Sequence, residues 1–190
     1  MILSDVGIRA AIAAGDIDID PSPADDQFTT SSIDLFLGGG FKVWDGKRLT
    51  VPGLTPTLDL AVQNYQATAG SYLIDPPLDA NGAFVLPPGQ FVLAVTREKI
   101  NLRRTARLAA RVEGRSSMAR LGLVVHLTAP TIHAGFSGTV TLEMVNFGPF
   151  HLRLVPHETR VCQLIFEQLS EEPAHDLRSR FVDQKDPGGT

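Results

Sequence analysis

The fold is indicated first by the stretch AFVLPPGQFVLAV, residues 83–95. Two short runs rich in branched and aromatic residues, 84–86 and 91–95, flank a Pro-Pro-Gly turn. Runs of this kind, bounded by turn-forming residues, are typical of consecutive β-strands. The stretch therefore predicts two strands joined by a tight turn.

Segments of the same character lie on both sides of this pair. The other predicted strands are 32–37, which ends at the glycines 38–40, then 41–44, which precedes an Asp-Gly turn, and 108–112, 139–145, 152–155 and 161–166. Short strands at regular spacing, separated by Gly and Pro, are typical of an all-β barrel or sandwich. We therefore expect a mainly β fold.

A short helix is predicted near the N-terminus. Ser4 or Asp5 provides a cap, and apolar residues recur at helical spacing between Ile8 and Ile12. Gly15 is a natural stop, because glycine readily adopts the left-handed conformation that often follows a helix.

The remaining segments are less regular. Residues 18–27 are rich in Asp and Pro and are predicted to form a loop, whereas 118–123 is predicted to form a short helix. Residues 52–82 have weak periodicity and receive no assignment. The polar stretch 170–190 is predicted to be a mobile tail, which leaves residues 1–169 as the folded domain.

Composition excludes several classes of protein. The 190 residues fit one domain, and the net charge of -4 argues against general nucleic-acid binding, which needs a basic face. No apolar run reaches the roughly 18 residues of a membrane span. The single cysteine, Cys162, forms no intrachain disulfide, and Met1–Asp5 lacks the order of a secretion signal. We therefore expect a cytoplasmic protein without membrane association.

The densest polar cluster in a strand-rich region is EGRSSMARLG, residues 113–122. Its glycines allow close backbone approach to a ligand, and a helical turn after them favours an anion. Arg115 and Arg120 offer guanidinium groups suited to phosphate or a planar base edge. Physics alone predicts a phosphate-bearing ligand here, with a capped surface helix and solvated arginines as the alternative.

A second polar residue of interest lies in TLEMVN, residues 141–146. In a strand, Thr141 and Glu143 share one face, and Leu142 lies on the other. A carboxylate among apolar neighbours has its charged form penalised, so its pKa rises toward the range of a proton shuttle. The alternatives are a solvated Glu or one paired with an arginine.

Two histidines, His126 and His133, lie between these segments, seven positions apart. The chain has no His-Glu-x-x-His motif and no carboxylate at close spacing to complete a metal site. We interpret each histidine as a hydrogen-bonding pocket residue or a satisfied core residue. Cys162 lies in an apolar run and is predicted to be buried and inert.

Together these residues resemble the dCTP deaminase branch of the dUTPase superfamily. The resemblance rests on residues 114–123, His126, residues 128–129, Ile132, residues 135–136, Gly138, residues 142–143 and Asn146. It extends to residues 3–5, Ile8, Gly15 and residues 31–34 near the N-terminus, and to residues 163–164, 180–181 and Gln184 near the C-terminus. It leaves out most of 52–82.

The resemblance implies a distorted, jelly-roll-like β-barrel of the dUTPase type with a short N-terminal helix and a flexible tail. It implies a homotrimer with active sites between subunits, and dCTP bound with Mg²⁺ on its phosphates. Zinc is not expected, because zinc deaminases need paired cysteines. Feedback inhibition by dTTP is a further expectation of the resemblance.

Roles follow by position from the same resemblance. Glu143 would be the general base and acid, and Ser116 and Arg120 would place the attacking water and the cytosine. Gln163, Arg180 and Gln184 would close over the triphosphate. The residues implied to bind substrate are Arg115, Ser116, Ser117, Met118, Ala119, Arg120, His133, Thr141, Leu142, Glu143, Gln163, Arg180 and Gln184.

One position departs from the resemblance. His133 stands where many members carry the Asp that activates water against phosphate in dUTPases. We therefore expect deamination of dCTP to dUTP, in preference to a dUTPase or a bifunctional enzyme that releases dUMP and pyrophosphate. A nucleotide-binding regulator without catalysis is the third alternative, and the retained Glu143 argues against it.

Overall fold

The computed structural model describes residues 1–49, 56–62, 65–176 and 186–188. Strands dominate these residues, which confirms the predicted mainly β fold. The strands are β1 (Ile17–Asp20), β2 (Ile33–Trp44), β3 (Leu73–Ile74), β4 (Phe84–Leu86), β5 (Phe91–Leu102), β6 (Leu108–Gly114), β7 (Leu123–Val124), β8 (Thr131–Ile132), β9 (Ser137–Asn146), β10 (Leu152–Leu154) and β11 (Arg160–Gln168). The helices are α1 (Asp5–Ala13), α2 (Gly46–Leu49), α3 (Tyr65–Tyr72) and α4 (Ser116–Ala119).

Most of the strands belong to one antiparallel sheet. Its order is β7-β9-β5-β2-β11-β6-β8, with β1 added beside β5 and β3 beside β2. The strands β4 and β10 form a separate two-stranded ladder. The large sheet curls into a half-barrel, in agreement with the barrel expected from the sequence.

The sheet surrounds one apolar core. Side chains of β2, β9 and β11 meet there with no exposed surface, among them Leu35, Leu142 and Phe166. Burial of such apolar area is the main force that stabilises a fold of this size. Cys162 lies in the same core, as predicted, and burial raises the pKa of its thiol.

The N-terminal helix α1 confirms its prediction. Of the two candidate caps, Ser4 is the one used, and its hydroxyl accepts a hydrogen bond from the backbone N–H of Gly7 at 3.3 Å. Gly15 follows the helix with φ of +71°, the conformation for which glycine is suited. No helix among the residues that the structure describes is long and apolar enough to cross a membrane.

The predicted loop 18–27 is wrong at its start, because β1 occupies Ile17–Asp20. This strand pairs with β5, and its Ile-Asp-Ile-Asp sequence alternates between buried and exposed positions. The period of two was therefore present in the sequence. The aspartates lie on the exposed face, so their polarity does not oppose pairing.

The prediction that a strand ends at the glycines 38–40 is wrong. They lie inside β2, where the register against β5 shifts between Leu37 and Phe41. A Cβ atom at Gly38 would come within 2.8 Å of the carbonyl oxygen of Thr96. Glycine is therefore required by close backbone approach at an irregularity of the ladder.

Two further local predictions are corrected. The helix predicted at 118–123 lies earlier, at Ser116–Ala119, because Gly122 with φ of +93° turns the chain into β7. Of residues 52–82, the described part contains α3 and β3, whereas residues 52–55, 63 and 64 lie outside the described residues.

Part of the C-terminal stretch packs against the folded domain. Pro187 and Gly188 are buried, and the Nζ atom of Lys42 lies 3.6 Å from a carboxylate oxygen of Asp186. Residues 170–176 contain no helix or strand. Arg180 and Gln184, which were expected to close over a ligand, lie outside the described residues.

Candidate active site

A cavity of about 460 Å³ lies beside β9, and we call it the Glu143 pocket. Its volume falls within the range of small-molecule sites. The residues that give it chemical character are Trp44, Tyr65, His126, His133, Thr141 and Glu143. Aromatic and apolar walls with a few polar groups are suited to holding and orienting a heterocyclic base or a sugar.

The alternation of β9 directs Glu143 into this pocket. Leu142 and Met144 point the other way and are completely buried in the core. Thr141 and Glu143 share the opposite face, are half-buried, and both line the pocket, as the period of the strand predicted. The strand is held on one side by β5, where Glu143 pairs with Leu93.

The environment of Glu143 alters its acidity. Burial is the largest influence and raises the pKa of its carboxyl, while backbone N–H groups of Glu143 and Leu127 and the charge of His126 act in the opposite direction. The net change is upward from the ordinary value of 4.5. A carboxyl with a raised pKa is suited to accepting and returning a proton near neutral pH.

Both candidate histidines line the Glu143 pocket. His126 is half-buried, and its Nε2 atom lies 3.9 Å from a carboxylate oxygen of Glu113. Among the residues that the structure describes, its buried Nδ1 atom has no hydrogen-bond partner. His133 is exposed. The sequence analysis left open whether each histidine is a pocket residue or a core residue, and both histidines lie at the pocket.

A second cavity, of about 480 Å³, lies next to α4, and we call it the arginine pocket. Arg115, Arg153 and Arg160 line it together with His151 and Met118. Three guanidinium groups around one cavity provide charge and N–H donors suited to phosphate oxygens.

Each arginine of this pocket also has an acidic neighbour. Arg153 donates a hydrogen bond of 2.7 Å to Asp79 and lowers the pKa of that carboxyl to about 2. Arg160 pairs with Asp26. The Nη2 atom of Arg115 lies 3.2 Å from a carboxylate oxygen of Asp34.

The predicted site residues between positions 115 and 120 lie in two different places. Arg115 and Met118 line the arginine pocket. The other four lie exposed on the surface at or next to α4: Ser116, Ser117, Ala119 and Arg120. None of residues 115–120 lines the Glu143 pocket.

Two more predicted residues lie apart from both cavities. Gln163, on β11, is half-buried and donates a hydrogen bond of 3.2 Å to Asp34. The side chain of Leu142 faces the core, so only its backbone is available on the pocket side of β9. Within one chain, the structure therefore brings Glu143 together with Thr141 and His133, but not with Ser116 or Arg120.

Sequence reasoning missed several residues of these cavities. Trp44 and Tyr65 line the Glu143 pocket, and Arg160 lines the arginine pocket. Tyr65 lies on α3, in the segment that received no assignment, and no local pattern marks it. Trp44 lies at the end of β2. The arrangement of the sheet brings it to the pocket, so no local motif predicts its role there.

The described residues contain no group of three or more His, Cys, Asp or Glu side chains able to hold a metal ion. Oxygen atoms of a bound triphosphate are good ligands for Mg²⁺, which commonly binds proteins through substrate phosphates.

Comparison with known proteins identifies the family. The model of the dCTP deaminase-like family matches residues 2–169. A dCTP deaminase of Rhodospirillum rubrum is 38% identical over 191 residues, which cover 98% of this chain and 94% of that protein. The chain belongs to the dCTP deaminase-like family. A relative from Halobacterium salinarum, named as a dUMP-forming dCTP deaminase, is 39% identical and covers 98% of this chain and 92% of its own length.

One solved structure has a similar fold. The crystal structure of 2′-deoxycytidine 5′-triphosphate deaminase from Agrobacterium tumefaciens superimposes with a TM-score of 0.61 at 24% identity. The match covers 87% of this chain and 47% of that chain, so this chain spans about half of that protein. At this level of identity the likeness concerns the fold, which agrees with the dUTPase-like barrel expected for this member of the dCTP deaminase-like family.

Proposed function

We propose that this chain hydrolyses the C4 amino group of dCTP, releasing ammonia and dUTP. The observation that carries the proposal is the half-buried carboxyl of Glu143 in a cavity of nucleoside size, with its pKa raised by burial. The family membership and the names of the relatives from Rhodospirillum rubrum and Halobacterium salinarum support the same substrate.

The chemistry needs one group that moves protons. In the proposed reaction, Glu143 takes a proton from water as the oxygen attacks C4 of cytosine. Glu143 delivers that proton to N3. It then carries the proton of the new C4 hydroxyl to the amino group, so that ammonia leaves as the C4–N bond breaks and a carbonyl forms at C4. Acid–base catalysis by a positioned carboxyl contributes roughly 10²–10⁴-fold, and orientation of the base supplies more.

The nucleoside end of dCTP suits the Glu143 pocket. Thr141 and His133 offer hydrogen-bonding groups beside Glu143, and the pocket walls include aromatic rings. In this proposal they orient the base and sugar so that C4 faces the carboxyl. Ser116 and Arg120 complete the site by polarising the water and the cytosine.

The triphosphate end suits the arginine pocket. Arg115 lines that cavity, and Ser116 and Ser117 present exposed hydroxyl groups at the adjoining α4. We propose that these residues hold the phosphates, and that Mg²⁺ enters with dCTP as part of the substrate. Gln163, Arg180 and Gln184 would close over the triphosphate.

The two ends of one dCTP molecule would then be held by two copies of the chain. Glu143 and Arg115 line different cavities of a single chain, and this separation supports the expected homotrimer with active sites between subunits. Inhibition by dTTP and a cytoplasmic location stay predictions of the family resemblance.

A second candidate is a dUMP-forming enzyme, because the relative from Halobacterium salinarum is named as one. Formation of dUMP needs a second water aimed at phosphorus and a group to activate it. His133 lines the Glu143 pocket. It stands where the family resemblance expects Asp, and an imidazole does not reproduce the arrangement of that carboxylate. We therefore propose dUTP as the product.

The deciding experiment measures ammonia and pyrophosphate from dCTP and from dUTP in parallel. Ammonia without pyrophosphate supports the proposal, and equal amounts of both indicate a dUMP-forming enzyme. Nucleotide binding without either product contradicts catalysis. Repeating the assay with a chelator, and then with Mg²⁺ or Zn²⁺ restored, tests the expected recovery with Mg²⁺.

A further inference from the structure

Asp34 is a nearly buried carboxylate, 4% exposed, in the middle of the sheet. It lies on β2, and none of the catalytic steps above uses it. A buried carboxylate is costly unless charged or hydrogen-bonding partners surround it. Its partners therefore indicate why it is present.

Two of those partners are residues proposed to hold phosphate. The Nη2 atom of Arg115 lies 3.2 Å from Oδ2 of Asp34, and Nε2 of Gln163 donates a hydrogen bond of 3.2 Å to Oδ1. A second cation, Arg160, lies with Nη1 at 4.0 Å from Oδ2. One carboxylate thus contacts three side chains from two other segments, namely β11 and the residue that follows β6.

The order of the sheet creates this meeting point. The strand β11 lies between β2 and β6, and its Gln163 pairs with Asp34 on one side and with Glu113 on the other. Arg115 follows directly after β6, so its side chain reaches back to β2.

Arg115 is held at more than one point. Its Nη1 atom donates a hydrogen bond of 3.2 Å to the carbonyl oxygen of Arg160, while its Nη2 atom pairs with Asp34. Both terminal nitrogens therefore have a fixed direction, and the side chain stays 28% exposed at the arginine pocket. An arginine held in this way loses little conformational freedom when it binds phosphate.

We propose that Asp34 is a positioning residue that orients Arg115 and Gln163 for the triphosphate. This inference rests on the proposed function of the arginine pocket. Asp34 lines neither cavity, and in this proposal it acts on the phosphates through the two side chains that it contacts. Its loss is therefore expected to weaken phosphate binding and to leave the chemical step nearly unchanged.

The test compares Asp34→Asn with Asp16→Asn in the full-length protein. The asparagine amide presents N–H donors to Arg115 and breaks the ion pair. Asp16 also pairs with an arginine, Arg103, but it lines neither cavity. Asp16→Asn therefore makes the same change in charge away from the proposed site and serves as the control. We expect the KM for dCTP to rise about tenfold or more in Asp34→Asn, with kcat within about twofold.

Two probes separate this role from a general loss of structure. Inorganic tripolyphosphate should compete with dCTP about tenfold less well in Asp34→Asn, whereas competition by deoxycytidine should not change. Equal weakening of both competitors overturns the inference. So does an unchanged KM in Asp34→Asn.

A double-mutant cycle with Arg115→Ala gives an independent measurement. If Asp34 acts through Arg115 and Gln163, Asp34→Asn raises KM clearly less in the Arg115→Ala background than in the wild-type background. Additive effects contradict the inference. If circular dichroism shows that Asp34→Asn does not fold, Asp34→Glu replaces it, because it keeps the charge and displaces the carboxylate.

The failure of the inference is distinguishable from that of the proposed function. A wild-type protein that releases no ammonia contradicts the deaminase, whatever Asp34 does. Calorimetric binding of tripolyphosphate to wild type and to both Asp variants reports on Asp34 without any turnover.

Discussion

Glu143 and Arg115 line two different cavities of the same chain. Glu143 faces a largely apolar pocket beside β9, and Arg115 lies at the edge of an arginine-rich pocket next to α4. One dCTP molecule needs a proton-transfer group at its base and cations at its phosphates. A second copy of the chain is the simplest way to bring the two together.

This arrangement predicts that two impaired variants restore each other when they are assayed at low dCTP concentration. Glu143→Gln and Arg115→Ala, mixed so that subunits exchange, should regain ammonia release, because some sites combine an intact Glu143 with an intact Arg115. Random mixing in equal amounts gives roughly a quarter of wild-type sites. The control is each variant taken alone through the same exchange procedure. A mixture that is no more active than its two components contradicts the prediction that active sites are shared between copies.

Glu143→Gln is expected to bind dCTP with nearly wild-type affinity and to release ammonia at least about 10²-fold more slowly. The amide has almost the same shape, but it cannot accept the proton of water. Calorimetry measures the affinity, and a coupled ammonia assay measures the rate. Turnover at the parental rate would remove Glu143 from its proposed role.

The pH dependence of kcat should reveal the raised pKa of Glu143. A general base acts when it is deprotonated, so kcat should fall as pH decreases through its pKa. Because burial raises that pKa, the midpoint of the acid limb should lie above pH 4.5, the ordinary value for a glutamate. The profile is measured at saturating dCTP with Mg²⁺, and a midpoint at or below pH 4.5 contradicts the prediction.

Gly122→Ala should destabilise the fold by about 3 kcal/mol or more. Its φ is +93°, and an added Cβ would overlap the backbone nitrogen of Gly148. Gly15→Ala is the matched control, because φ there is +71° but no atom of the described part of the chain lies within 4 Å of the added Cβ. It should cost only about 1 kcal/mol. Chemical denaturation at equal protein concentration measures both, and equal losses would show that contact with Gly148 does not matter.

Cys162 should resist thiol reagents in the native protein. It is completely buried, and burial raises the pKa of its thiol, so almost no thiolate is present at neutral pH. An aromatic disulfide that releases a coloured thiolate should label Cys162 within minutes in denaturant and leave the folded protein unlabelled. Rapid labelling of native protein would indicate that the strand β11 opens readily.

Local patterns predicted much of the framework. The Pro-Pro-Gly turn lies between β4 and β5, and Gly89 there has φ of +75°. The cap at Ser4 and the alternation of β9 around Glu143 also depend on neighbours within a few residues. Such features are encoded where they occur, so the sequence reveals them.

Other elements depended on partners distant in the chain. The aspartates of β1 led to the prediction of a loop, whereas the segment forms a strand because it pairs with β5. The three glycines of β2 resemble the end of a strand in the sequence, but the backbone of Thr96 comes close to Gly38 within the sheet. Composition alone does not distinguish a polar exposed strand face from a loop.

The amino-acid sequence by itself determined the mainly β class, the capped first helix, the buried thiol and the outward face of β9 that carries Glu143. These properties follow from side-chain periodicity and from backbone preferences of single residues. Only the tertiary structure decided that Asp34 meets Arg115 and Gln163, and that Glu143 lies apart from Arg115 within one chain. Strand order in a sheet sets those distances, because it brings together segments that no local pattern connects.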